Sequence, residues 1–134
     1  SVENTHHWGR YSFLGFNPSL EISCKNHLLK IRKAINNEIQ GIKTDNPNIE
    51  IREILKAYKS PKFEYLPSFT GGLVGYFAYK YLRYQESKLD FVDETVNKDE
   101  VSFNDVDLML FDKVIAFDHY TKKIILIVNI KTDD

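Results

Sequence analysis

The chain has 134 residues, of which 43% are hydrophobic and 28% are charged, and its formal net charge is −1. That length suits a single domain, 1–134, with a buried core, and the small net charge excludes a basic field that would attract nucleic acid or a membrane surface. Cys24 is the one cysteine, which excludes an internal disulfide and favours a reducing, cytoplasmic setting.

The hydropathy and the first residues of the chain bear on membrane insertion, secretion and the extent of the protein. No apolar run approaches the ~20 residues that cross a membrane, and no signal peptide is visible. The chain opens on Ser1 rather than Met, which suggests a piece of a longer protein.

Three strands are predicted in the first quarter of the chain. Residues 10–16 alternate between two faces, which is the period of a strand. A turn at 17–19 precedes a second strand over 20–24 and a third over 27–33. Lys25-Asn26 is expected to form a tight turn between them, although it lacks the glycine of the best hairpin turns.

One helix is predicted near the middle of the chain. Residues 34–48 are polar and are expected to be irregular. Asn46 is then placed to cap a helix whose first residue is Pro47, where the missing N–H does no harm. The spacing of Ile51, Ile54, Leu55 and Tyr58 predicts a short amphipathic helix with one buried face.

The segment 67–83 contains half of the six glycines. Gly71, Gly72 and Gly75 form a G-G-x-x-G pattern, which matches no phosphate-binding loop. The segment predicts a buried strand that runs into a short helix carrying Tyr79, Leu82 and Arg83. We interpret the glycines as structural, with backbone pressed close to a neighbouring layer.

An acidic stretch and two apolar strands complete the chain. Residues 86–107 predict a solvated loop, and the acids at 90, 93 and 94 do not match a calcium-loop spacing. Residues 108–117 and 123–130 predict strands joined by a hairpin loop at 118–122. The unbroken apolar run 124–128 predicts cover on both faces, part of it from chain beyond this piece. The fold class is therefore α+β, mostly antiparallel sheet with one or two short helices.

No arrangement of side chains predicts a catalytic centre or a metal site. The histidines have no metal-ligand spacing, and Cys24 has no neighbouring base, so structural or solvent-facing roles are expected. Neither a Ser-His-Asp nor a G-x-S-x-G pattern is present. The histidines are His6, His7, His27 and His119.

Three long motifs, in order and in register, resemble a known family. Residues 9–15 read Gly-Arg-Tyr-Ser-Phe-Leu-Gly, residues 71–79 read Gly-Gly-Leu-Val-Gly-Tyr-Phe-Ala-Tyr, and residues 108–119 end in Phe-Asp-His. They resemble signatures of the N-terminal region of anthranilate synthase component I. The opening Ser1-Val-Glu resembles the end of the L-L-E-S element of the same family.

This resemblance implies a parent enzyme of several hundred residues. The family is a lyase of tryptophan biosynthesis that converts chorismate to anthranilate with amination and loss of pyruvate. The resemblance places the chorismate and magnesium sites in a larger C-terminal domain, so this chain would have no catalytic residues and no cofactor of its own. Its implied partners are that domain, a glutamine amidotransferase subunit (component II) that supplies ammonia, and tryptophan as feedback inhibitor.

The resemblance also nominates an inhibitor site. Residue by residue, it transfers tryptophan binding to Ser1, and with it to Arg10, Tyr11 and Ser12. An amino-acid ligand needs donors for its carboxylate, acceptors for its ammonium and an apolar slot. Arg10 can pair with a carboxylate and Tyr11 can stack, although both could equally cap and pack their strand.

Two alternatives stay open at the level of sequence. The related aminodeoxychorismate synthase component I shares the fold and the glycine segment. A stand-alone module that binds a small molecule or a protein is the other, and it requires a natural start near Ser1 and no chorismate-binding region downstream.

Overall fold

The computed structural model describes residues 9–85 and 103–132. Predictions that concern Ser1, His6, His7 or the acids between 86 and 102 therefore lie outside the described residues. The described strands are β1 Tyr11–Gly15, β2 Leu20–Lys25, β3 Leu28–Lys33, β4 Ile39–Lys43, β5 Gly72–Phe77, β6 Val106–Phe111, β7 Lys113–Asp118 and β8 Lys123–Val128. The helices are α1 Pro47–Ala57 and a 3-10 helix, Tyr79–Tyr84.

The strands form two sheets in which neighbouring strands are antiparallel. The larger sheet has the order β4-β3-β2-β6-β5, and the smaller has the order β1-β7-β8. Mostly antiparallel sheet with one α-helix confirms the predicted α+β class.

Each sheet has its own buried cluster. In the larger sheet, alternate residues of β2 point inward, and Ile22 and Cys24 are fully buried. Ile51 of α1 packs into the same cluster. Beneath the smaller sheet, Val114, Ala116 and Ile127 are buried. Because side chains alternate along a strand, these buried sets fix which face of each sheet is turned inward.

The β2–β3 hairpin turns one residue later than predicted. Asn26 and His27 form the turn with positive φ values of 49° and 64°, as the favoured two-residue hairpin turn requires. His27 is therefore a turn residue rather than the first residue of a strand.

The prediction of an irregular segment over 34–48 is wrong. Ile39–Lys43 is a strand, β4, which pairs with β3 at the edge of the larger sheet. Only Ile42 of β4 packs against the core. The strand therefore lacks the apolar alternation by which a strand is predicted from sequence. Pairing with β3, rather than its own composition, determines the strand.

Helix α1 begins at the predicted residue, but fewer of its apolar side chains are buried than predicted. Pro47 is its first residue, but the Asn46 side chain makes no capping hydrogen bond. Ile51 is buried, whereas Leu55 and Tyr58 are exposed. The helix therefore contacts the core along a narrow stripe.

The prediction of one strand over 108–117 is wrong. This run forms two strands, β6 and β7, which belong to different sheets and meet at Asp112. Asn129 supports the bend: its backbone N–H donates to the Asp112 carbonyl at 2.8 Å, and its side chain donates to the Thr70 carbonyl at 2.7 Å. Neither partner is close in sequence, so the run itself carries no sign of the bend.

Strand β5 is more exposed than predicted, and strand β8 has one exposed apolar face. β5, at the edge of the larger sheet, is not buried, and Val74 is 46% exposed. In β8, Ile125 and Ile127 point inward, whereas Leu126 is 73% exposed and its neighbours on the same face are also exposed. An alternating strand can be apolar on both faces while only one is covered. The exposed apolar residues on this face of the smaller sheet are Leu14, Ile124, Leu126 and Val128.

The end of the acidic stretch is buried, which corrects the prediction of a solvated loop there. Asp105 accepts hydrogen bonds from the Tyr84 hydroxyl at 2.8 Å and from the Asn26 backbone at 3.3 Å. Its own N–H donates to the Cys24 carbonyl at 2.7 Å. These bonds join the 3-10 helix, the β2–β3 turn and the start of β6.

Candidate ligand-binding site at the start of strand β1

Strand pairing brings the start of β1 against the turn that follows β7. Tyr11 lies opposite Asp118, and the His119 N–H donates to the Arg10 carbonyl at 2.8 Å. The turn at 119–122 joins β7 to β8, which confirms the predicted hairpin. Residues 10–12 and 118–121 therefore form one cluster at the end of the smaller sheet.

An ion pair between Arg10 and Asp118 is the centre of this cluster. The Arg10 Nε donates to Asp118 Oδ1 at 3.2 Å, and Nη2 donates to Oδ2 at 2.9 Å. Asp118 also accepts from the Thr121 hydroxyl at 2.9 Å and from the backbone N–H groups of Tyr120 and Thr121. The Asp118 side chain is only 5% exposed, so these donors replace its hydration.

The same hydrogen bonds set the charge state of the pair. The Arg10 guanidinium, followed by the Thr121 and Tyr120 donors, holds the pKa of Asp118 well below its usual range, although burial opposes this. The hydrogen bond to Asp118 likewise raises the pKa of Arg10. Hydrogen bonds to the ionised form lower a carboxyl pKa, so the pair stays charged at neutral pH.

We expect this ion pair to make the chain less stable in acid. A carboxyl whose folded pKa is lowered stabilises the fold fully above its unfolded pKa, and loses that contribution as pH falls through the folded pKa. Urea unfolding of wild type and Asp118→Asn at pH 6 should show wild type as the more stable. The difference should shrink on acidification below pH ~4, and a difference that stays constant down to pH 2 would contradict this.

A row of rings extends from Arg10 along one face of β1. The Arg10 Cζ lies 5.0 Å from the Tyr11 ring centroid and 5.6 Å from that of Tyr120, within cation–π range of both. Tyr11 and Phe13 follow at 6.1 Å, and Phe13 and Phe69 at 5.3 Å, between centroids. Phe13 is 41% exposed, so the row offers accessible aromatic surface beside a cation.

The structure does not bring all the nominated residues together. Arg10 and Tyr11 are in contact, whereas Ser12 points to the opposite face of β1 from Tyr11. The Ser12 Oγ lies 2.6 Å from His119 Nε2, and the His119 ring packs against Phe117 at 4.8 Å. Ser1 lies outside the described residues. Arg10 and Tyr11 are therefore the nominated residues whose side chains the structure places in one site.

Two curated proteins and one solved structure that are similar to this chain are named anthranilate synthase component 1 or I. No protein-family profile matches the chain. The chain is 39% identical to anthranilate synthase component 1 of Acinetobacter calcoaceticus, over 100% of this chain and 27% of that protein. It is 35% identical to the protein of that name from Acetivibrio thermocellus, over 97% and 25%. The crystal structure of anthranilate synthase component I from Streptococcus pneumoniae TIGR4 superimposes with a TM-score of 0.67 at 25% identity, covering 91% of this chain and 25% of that one.

The chain is homologous to the N-terminal region of anthranilate synthase component I. It spans about a quarter of the length of the relatives it matches.

The glycine segment that resembles anthranilate synthase component I contains two close approaches of backbone. A Cβ on Gly75 would overlap the Asp107 carbonyl and lie 2.8 Å from the Leu108 Cα. A Cβ on Gly71 would lie 2.8 Å from both the Phe111 carbonyl oxygen and the Asn129 side chain. Gly72 has room for a Cβ, but its φ of 142° is strained for other residues.

The described part of this homologue of anthranilate synthase component I contains no candidate metal centre. Among residues 9–85 and 103–132, no three His, Cys, Asp or Glu side chains are grouped so that they could hold an ion. None of the helices in those two ranges is both long and apolar enough to span a membrane.

Sequence reasoning missed the residues that support Arg10. The sequence marks Asp118 and His119 only as the end of a motif that resembles anthranilate synthase component I, and it predicts only a loop at Tyr120 and Thr121. Arg10 and Asp118 are 108 positions apart, and no feature of a single sequence pairs them. The one available signal was that both motifs are shared with the same family.

Proposed function

We propose that the chain is the tryptophan-responsive N-terminal region of an anthranilate synthase component I. The observation that carries the proposal is the match over essentially the whole chain, at 39% and 35% identity, to two proteins of that name. Because the chain spans about a quarter of each, the chemistry would belong to the rest of the enzyme.

The reaction proposed for the whole enzyme is the conversion of chorismate and ammonia to anthranilate, pyruvate and water. The proposal places the chorismate and magnesium sites in the C-terminal domain, and it assigns the supply of ammonia to a glutamine amidotransferase subunit. The role proposed for this chain is regulation of that chemistry.

The cluster at the start of β1 supports an amino-acid ligand. The contacts with Asp118 use the Nε–Nη2 edge of the Arg10 guanidinium, so the Nη1 edge faces away from that partner and can bind a carboxylate. The half-buried ring of Tyr11 and the exposed ring of Phe13 offer apolar surface for an indole. Ser1 would complete the site from the chain that precedes β1.

Inhibition then requires a difference in affinity between two states. Tryptophan can shift the enzyme towards an inactive arrangement of its two parts only by as much as it binds that arrangement more tightly than the active one. A site built partly on this chain and partly on the C-terminal domain would have that property, because the relative position of the two parts would change the site.

The experiment that tests the proposal uses the full-length enzyme with chorismate, magnesium and ammonia. Anthranilate is followed by its fluorescence, with and without tryptophan. We expect anthranilate to form and tryptophan to suppress it. Formation of aminodeoxychorismate would instead favour the related synthase, and no turnover of chorismate would contradict the enzyme assignment altogether. Anthranilate formation that tryptophan does not affect would contradict the regulatory role alone.

Replacing Ser1 by Phe in that enzyme should relieve inhibition. The larger side chain removes a hydroxyl that contacts the ligand and occupies its space, so the tryptophan concentration for half-inhibition should rise by roughly tenfold or more. Rates without tryptophan, measured in the same assay, normalise the comparison. Ser60→Phe, at an exposed loop position, is the matched control. Unchanged inhibition in Ser1→Phe would remove Ser1 from the site.

A further inference from the structure

We propose that Asp118 is a positioning residue: it holds Arg10 in the orientation in which Arg10 can bind the carboxylate of a ligand. This inference rests on the proposed function and adds a residue that makes no ligand contact itself. It depends on how the buried carboxylate, the guanidinium and two tyrosine rings are arranged at the end of the smaller sheet.

Asp118 is itself rigidly held. It is 5% exposed at the side chain, and it lies at the end of β7, where β1 and β8 both pair with it. The backbone N–H groups of Tyr120 and Thr121 and the Thr121 hydroxyl all donate to it. A carboxylate fixed by this many donors gives a neighbouring side chain a stationary partner.

Arg10 is held by that partner in one orientation. Two parallel hydrogen bonds, at 3.2 and 2.9 Å, fix the plane of its guanidinium as well as its position. Its Cζ lies 5.0 and 5.6 Å from the ring centroids of Tyr11 and Tyr120. The Nη1 edge, opposite to Asp118, belongs to a side chain that is 42% exposed.

This arrangement lowers the cost of binding a carboxylate. Arginine has several rotatable bonds, and ordering such a side chain on binding weakens affinity. Asp118 orders Arg10 before the ligand arrives, and it also balances the arginine charge without occupying the outer edge. The ligand class that fits is a free aromatic α-amino acid, with its carboxylate on Nη1 and its ring towards Tyr11 and Phe13.

The test is a double-mutant cycle for tryptophan binding, measured by calorimetry on the full-length enzyme. Asp118→Asn offers one acceptor where aspartate offers two, so it cannot hold the guanidinium at both nitrogens. We expect it to raise the tryptophan Kd by about three- to tenfold. Arg10→Gln removes the charged guanidinium that would donate to the ligand carboxylate, and it should raise the Kd at least as much. Adding Asp118→Asn to Arg10→Gln should then change little, because both act on one contact.

A second variant guards against poor folding of Asp118→Asn. Arg10→Lys keeps the positive charge at a partly exposed position but cannot be fixed by two parallel hydrogen bonds. We expect it to lose about three- to tenfold in affinity as well. Full tryptophan affinity in Arg10→Lys would overturn the positioning role, and so would penalties of Arg10→Gln and Asp118→Asn that simply add.

The outcomes separate this inference from the proposed function. If wild type binds tryptophan but Arg10→Gln binds it equally well, the ligand does not use Arg10 and the inference fails while the regulatory role stands. If wild type does not bind tryptophan at all, the regulatory role fails and the positioning role falls with it.

Discussion

Gly75→Ala should destabilise the fold more than any other substitution proposed for this chain. A Cβ at this position would overlap the Asp107 carbonyl and lie 2.8 Å from the Leu108 Cα. Both are backbone atoms of the neighbouring strand β6, so no side chain can rotate to make room. We expect a loss of roughly 3 kcal/mol in the free energy of unfolding, a large part of the stability of a typical domain. Urea denaturation followed by circular dichroism measures it.

Gly41→Ala is the matched control for that experiment. Gly41 also lies in a strand, but its nearest heavy atom to a new Cβ would be a Leu28 methyl carbon at 3.7 Å, an ordinary contact. Its stability should stay within about 0.5 kcal/mol of wild type. Equal losses at the two glycines would mean that the close approach of β5 and β6 is not what requires Gly75.

Tyr84→Phe should cause the next largest loss. The hydroxyl of Tyr84 donates to buried Asp105 at 2.8 Å and accepts from the His27 backbone N–H at 3.1 Å. Removing it leaves a buried carboxylate oxygen and a backbone donor without this partner, at a cost of about 1–3 kcal/mol. Thermal and urea unfolding measure the difference, with Tyr79→Phe as control because Tyr79 is 80% exposed.

The same hydroxyl predicts how stability depends on alkaline pH. Burial, as the largest cause, raises the pKa of Tyr84 to about 12 from its ordinary value of 10.0. A group whose folded pKa is raised stabilises the fold fully below its unfolded pKa, and that contribution is lost as pH rises through the folded pKa. The advantage of wild type over Tyr84→Phe should therefore decline between about pH 10 and pH 12. An advantage that grows over this interval would contradict the assignment.

Local pattern was enough to predict the elements that depend on local chemistry. Alternation in β2 and β3 marks two strands, and Pro47 marks the first residue of α1. The predictions were wrong where the structure of a segment depends on residues that are distant in sequence. β4 becomes a strand because β3 pairs with it, and the bend at Asp112 depends on Asn129. The apolar run in β8 predicts cover on both faces, and composition alone cannot show which of the two faces meets the core of this chain.

The candidate site shows the same limit. Arg10 and Tyr11 were nominated through a family motif, and the structure places their side chains in contact. Their support comes from Asp118 and Tyr120, which belong to the far end of the chain. Burial of Asp118 creates the need for several donors, and burial is a property of the folded sheet rather than of any short stretch.

The pairing of β1 with β7 has a kinetic consequence. Tyr11 lies opposite Asp118, so this ladder closes a loop of nearly the whole chain, whereas the β2–β3 and β7–β8 hairpins close short ones. Contacts between residues far apart in sequence form slowly, because the entropy of closing the loop must be lost before the contacts are gained. During synthesis on the ribosome, Arg10 must also wait until Asp118 has emerged. We therefore expect the hairpins to be established first, and the cluster of residues 10–12 and 118–121 to be among the last parts of the molecule to become native.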